Sequence, residues 1–145
     1  MTNPPPRQPL RQGEVWKMPL VGLSSAEPHF LIVLNHNHVA GKAILLSIIT
    51  SQVQKRLAYA RSTGKPPATI VQFGPNQYAE LDRHSCVDCN SVKLVDASYF
   101  SQSASSPHSR PCSDIPAPLL KRIIAGVLAS PDVSDNLKAL VRPQP

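Results

Sequence analysis

The chain is short of carboxylates, and the shortage is local: between Glu27 and Glu80 there is none. The same stretch carries Lys42, Lys55, Arg56, Arg61 and Lys65, so its charge is not neutralised nearby. Charged residues of all kinds make up only 17% of the chain while prolines number 16, which favours a compact β-rich body with irregular tails over a helical bundle. No run of about 18 apolar residues occurs, which excludes a membrane-spanning helix. Cysteines are few and odd in number, Cys86, Cys89 and Cys112. Residues 1–9 are proline-rich and lack the apolar core of a secretory signal, so a cytoplasmic location follows by default and the thiols are expected reduced, without a disulfide framework.

What is present fits one domain: 145 residues with a net charge of +6 and a pI near 9.6 are enough for a real core. Residues 1–11 read as a flexible, partly polyproline-II tail and residues 12–100 as the β-rich body. Within that body Glu14 to Leu20 alternates, with Trp16, Met18 and Leu20 on one face and Lys17 on the other, and makes a first strand. After a turn-rich stretch over 21–28, residues 29–35 are apolar on both faces, as in a buried central strand. A short polar turn over 35–41 leads into residues 42–50, which are expected to pair with it as an antiparallel neighbour. Thr69 to Phe73 restarts a strand, and residues 85–96 form one bent strand or two short ones, with Val92, Leu94 and Phe100 or Val95 inward. Five or six short strands of this kind suffice for a small barrel. Its expected core is Phe30, Ile32, Leu34, Ile44, Leu46, Ile48, Val71 and Val92.

Residues 101–113 are rich in Ser and Pro and read as a surface linker. In residues 114–142 apolar side chains recur at helical spacing. Ser113 or Asp114 suits the cap of a first helix bearing Leu119, Leu120, Ile123, Ile124, Val127 and Leu128, and Ser130-Pro131-Asp132 opens a second with Val133, Leu137, Leu140 and Val141. Such stripes must be buried against the sheet or against another subunit.

The basic segment over 51–68 follows the hydroxyl pair Thr50-Ser51 at a strand end, and Val53, Leu57 and Tyr59 allow it a short helical turn before Gly64 to Pro67. A cationic, acid-free segment suits an anionic partner, with nucleic acid first among candidates, through Lys55, Arg56, Arg61 and Lys65. The alternative is a solvated loop kept soluble by its charge. His84, Cys86, Cys89, His108 and Cys112 supply enough nitrogen and sulfur for tetrahedral zinc. Against that, Cys86 and Cys89 would point to opposite faces of a regular strand, and two partly buried thiols with a surface cysteine is the plainer account. A cysteine–histidine nucleophilic pair has less support, since nothing marks an oxyanion hole.

Gly13-Glu14-Val15-Trp16, a loop, the strand from Pro28 to Asn35, an apolar strand closing in Thr50-Ser51, a variable basic loop, residues 85–96 and a helix of the form Pro-x-x-Leu-x-x-x-Ile together resemble the MazF/PemK/Kid toxin family. The resemblance spans about residues 12–130 and implies an SH3-like barrel, related to CcdB. It also implies a homodimeric endoribonuclease that acts on single-stranded RNA without metal or other cofactor, and an antitoxin protein that inhibits it. Carried over residue by residue, Thr50 and Ser51 match the family's hydroxyl pair and Asp88 its aspartate, with Asn90 there in another register. His29 stands nearest to the family's first arginine, and the arginine that precedes the aspartate has no match. His29, His84, Arg83 or Arg56 remain to replace it, because RNA cleavage needs a base, an acid and a cation for the phosphorane, and histidine as a residue type can act as either acid or base. The catalytic expectation is therefore Thr50, Ser51, Asp88 and His29, with Lys55, Arg56, Arg61, Lys65 and Arg83 binding RNA. The rival class is a catalytically silent barrel of the same fold that binds a protein, as the gyrase-binding relatives do, or nucleic acid.

Overall fold

The computed structural model describes residues 10–19, 27–36 and 43–143. Most of the proline-rich tail, Leu20, most of the turn-rich stretch after it, and the turn leading into Lys42 lie outside the described residues. The strands are β1 (Val15–Met18), β2 (His29–Val33), β3 (Ala43–Thr50), β4 (Ile70–Phe73), β5 (Ser85–Asp88), β6 (Lys93–Asp96) and β7 (Arg110–Cys112). The helices are α1 (Val53–Ser62), α2 (Ala97–Ala104), α3 (Ala117–Ala129) and α4 (Asp135–Val141).

The strands form one seven-stranded antiparallel sheet in the order β4-β5-β3-β2-β1-β7, with β6 also on β3. This is the mainly β, barrel-like body with C-terminal helices that the sequence predicts, with one strand more and without closure. The eight-residue β3 is its hub. It pairs with β2 over Leu46 to Ile49, and with β6 and β5 at its two ends, Ala43 to Leu46 and Ile49 to Thr50.

The β2–β3 register sets Ile32 opposite Ser47, so even-numbered residues of β2 share a face with odd-numbered residues of β3. One face therefore collects Val15, Ile32, Leu34, Leu45, Ile49, Val71 and Val87, and α3, α4 and the connection between them cover it with Leu119, Ile123, Val127, Val133 and Val141. The opposite face collects Trp16, Met18, Leu31, Val33, Ile44 and Leu46 under Ala97, Phe100 and Ala104 of α2. Trp16 meets Phe100 edge to face at 6.3 Å. The core expected as one set is thus split in two by strand alternation, and Phe30, Ile48 and Val92 are only half-buried. Close approach seats α3: a Cβ on Gly126 would lie 2.7 Å from Cys89 Sγ and 2.8 Å from the Ala68 carbonyl oxygen.

Several local expectations change. The segment after Thr50 is a ten-residue helix, anchored by Val53 and Ala60 with Leu57 against Ile70 and Cys86. Residues 101–113, expected as linker, hold the end of α2 and all of β7; Phe100 and Ala104 tie the helix down, and β7 extends the sheet beyond β1. Leu94 is 51% exposed although Leu45 opposite it is buried, while the next residue of β6, Val95, packs against the α2-side core. Neither Ser113 nor Asp114 caps α3; Pro116 holds that place, Ser130 ends the helix, and Ser134 caps α4 by accepting from Leu137 N–H. Leu10 is buried against the α2 side, and Arg11 pairs with Glu14 and Asp114, so the tail joins the body before residue 12.

A candidate nucleic-acid cleft

The α2 side of the sheet is covered at one end by α2 and at the other by α1. Beside α1 lies a cleft of about 750 Å³, walled by the start of β2, the end of β3, β5 and the first turn of α1. The register explains who faces whom. Phe30 pairs with Ile49, so one step further along the same ladder sets His29 opposite Thr50. Thr50 pairs in turn with Cys86, and Asp88, two residues on, points to the same face. His29, Thr50, Ser51, Arg56, Asp88 and Arg83 all line the cleft, joined by Lys17 and Lys93, which sequence reasoning did not single out.

Asp88 is 8% exposed and organises the inner wall. Its Oδ1 accepts from the Asn90 backbone N–H and side-chain Nδ2, each at 3.0 Å. Its Oδ2 accepts from Arg56 Nη1 at 3.4 Å. Asn90 is held in turn, donating to Thr69 Oγ1 at 2.9 Å and accepting from Ser130 Oγ at 2.6 Å. A chain of hydrogen bonds thus runs from the end of α3 to the Arg56 guanidinium, whose side chain remains 37% exposed. This pairing puts an arginine beside the aspartate from another element, although Cys86 and not an arginine stands two positions before it in sequence.

Two nitrogens in the wall, His29 Nε2 and Arg56 Nε, are buried without a hydrogen-bond partner among the described residues. An unsatisfied buried polar group costs about 1–3 kcal/mol, so the packing that holds these two side chains in the wall carries a local cost. Thr50 Oγ1 accepts from Gln52 N–H at 3.2 Å, which fixes the turn into α1 and leaves the hydroxyl proton free to donate. Ser51 is exposed at the rim. Arg83 is exposed and pairs with Asp82 at 3.1 Å, which holds that carboxyl below its usual range. Lys17 Nζ lies 4.9 Å from the centre of the Phe30 ring at the cleft's apolar edge.

The other expected binding residues stand apart from the lining. Lys65 is bound to Asp132 at 2.7 Å, clamping the α3–α4 connection rather than facing a ligand. Lys55 and Arg61 are exposed on α1. Arg61 is five residues beyond Arg56, about 140° around the helix, and so on its far flank. The signal for α1 itself was available in the Val53, Leu57, Ala60 spacing; the contacts of Asn90 with Thr69 and Ser130 left no trace in the sequence.

The thiols are chemically quiet. Burial, then the negative charge of Asp88, pushes Cys86 up to about 11. The same causes push Cys89 up to about 12, and burial raises Cys112. Such thiols stay protonated at neutral pH and are poor nucleophiles. His84 contacts Gln72, and no group of three or more His, Cys, Asp or Glu among the described residues is placed to hold a metal ion. No helix among the described residues is long and apolar enough to cross a membrane. Compared with known family models and with curated proteins, the chain matches none.

Proposed function

We propose that the cleft binds single-stranded RNA and cleaves it by internal transesterification. The observation that carries this reading is the convergence of His29 from β2, Thr50 from β3, Arg56 from α1 and Asp88 from β5 on one open cleft. In this reaction the ribose 2′-oxygen attacks the neighbouring phosphorus, the bond to the 5′-oxygen breaks, and a 2′,3′-cyclic phosphate and a 5′-hydroxyl result. No redox partner or co-reactant is consumed.

His29 takes the 2′-hydroxyl proton and the departing 5′-oxygen takes one from solvent at the open mouth of the cleft. The Arg56 guanidinium faces the charge that grows on the phosphorane, and the Thr50 hydroxyl donates to a non-bridging oxygen. Asp88 changes role from the one expected: with both oxygens engaged by Asn90 and Arg56, it positions the arginine instead of moving a proton. The likeness to the toxin family adds two partners to the proposal, a second copy of this chain and an inhibitory antitoxin segment.

The test is incubation of a single-stranded RNA oligonucleotide with the protein in excess chelator, with the products read by mass spectrometry. Fragments ending in 2′,3′-cyclic phosphate are expected. Intact RNA that is nevertheless bound would replace this reading with the catalytically silent barrel, which the full engagement of the Asp88 carboxylate would then explain.

A further inference from the structure

The chain has only three Phe, three Tyr and one Trp. Trp16, Phe73, Tyr78 and Phe100 are buried, and Phe30 and Tyr99 half-buried. Tyr59 is 64% exposed. It is not needed to seat α1, which Val53, Leu57 and Ala60 anchor from the opposite side. A large ring left in water by a fold that hides or half-hides its other aromatics has both faces open to a ligand.

Its position says which kind. Gln52, Arg56 and Tyr59 fall on one stripe of α1, at i, i+4 and i+7, and the first two line the cleft. Tyr59 stands about 4.5 Å further along the helix axis than Arg56, within the reach of a single nucleotide. Lys55 lies one turn before it, and α1 carries Lys55, Arg56 and Arg61 without an acidic residue. A protein partner would want an apolar field around the ring, whereas the neighbours on this flank are Lys55, Arg56 and Ser62. A cationic groove that continues onto an exposed aromatic is how single-stranded nucleic acid is held: phosphates on the charges, bases on the ring.

We propose that Tyr59 is a nucleobase-stacking platform that extends the cleft along α1, taking the base next to the phosphate held at Arg56. This rests on the RNA reading of the cleft but not on cleavage. Stacking requires only a π face, so the subsite accepts any base and sets a preference for unpaired strands over duplexes.

The experiment measures binding of two labelled oligomers of equal length at low salt by fluorescence anisotropy: a 2′-O-methyl single strand, which cannot be cleaved, and an abasic phosphodiester. Tyr59→Ala is expected to weaken binding of the first by roughly 5- to 150-fold and to leave the second unchanged, while Tyr59→Phe binds both like wild type. Equal binding of the base-bearing strand by Tyr59→Ala and wild type overturns the proposal, and is also what a ring reserved for a protein partner would give. An equal loss on both oligomers overturns it too, by showing that the bases are not what the ring contacts. If Tyr59 proves necessary yet an all-ribose strand stays intact, cleavage fails and the stacking subsite stands. If wild type binds neither oligomer, both fall.

Discussion

Asp88 shows how the site is built one residue at a time. A carboxylate 8% exposed needs partners for both oxygens, and Asn90 and Arg56 supply them, which fixes where the arginine points. Its negative charge has a second effect on the neighbouring thiols. Burial first and Asp88 second hold Cys86 and Cys89 neutral, up to about 11 and about 12. In the unfolded chain these thiols ionise near the ordinary value of about 8.5. Below that pH neither state gains; above it the unfolded chain releases protons that the folded one keeps, so stability falls as pH rises toward the folded values. Thermal melts should therefore lose Tm between pH 8 and pH 10.5, and Cys89→Ala should lose less over the same interval. Parallel curves for the variant and wild type would show that the buried thiol contributes nothing to alkaline unfolding.

At the scale of elements, α1 turns a charged segment into a directional surface. Its buried stripe faces Ile70 and Cys86, which leaves Arg56 toward the cleft, Lys55 and Tyr59 beyond it, and Arg61 on the far flank. The expectation that Lys55, Arg56 and Arg61 act together is thereby divided. Replacing Lys55 and Arg56 by Gln should flatten the log-log salt dependence of single-strand binding by about 1.4, at roughly 0.7 per phosphate contact, whereas Arg61→Gln should leave the slope alone. A slope equally sensitive to all three would return the segment to a diffuse cationic cloud. The pairing of β2 with β3 was legible because two apolar runs flank a short turn. The α2 helix and β7 were not: α2 buries only Ala97, Phe100 and Ala104 amid serines, and three residues of β7 carry no periodicity to read. The Arg56–Asp88 pair spans 32 positions, a distance that local pattern cannot bridge.

Across the whole molecule, the cleft follows from incomplete coverage. One face of the sheet is sealed by α3 and α4, the other is shared by α2 and α1, and beside α1 the start of β2, the end of β3 and β5 are left to line the cleft. Hydroxyl, imidazole, guanidinium and carboxylate meet there because strand register aligns three of them and α1 delivers the fourth. The cleft, and not the charge of the chain as a whole, is thus the central claim, and it separates Arg56 from Lys55, Arg61 and Lys65, which stand outside its lining. Single-turnover cleavage of a DNA strand bearing one ribonucleotide, in excess chelator, compares wild type with Arg56→Ala and Arg61→Ala, all checked for an unchanged circular dichroism spectrum. The predicted result is cutting at the ribonucleotide by wild type and Arg61→Ala, with Arg56→Ala slower by roughly 10²- to 10³-fold; equal rates for Arg56→Ala and wild type, or no cutting by any of them, would contradict it.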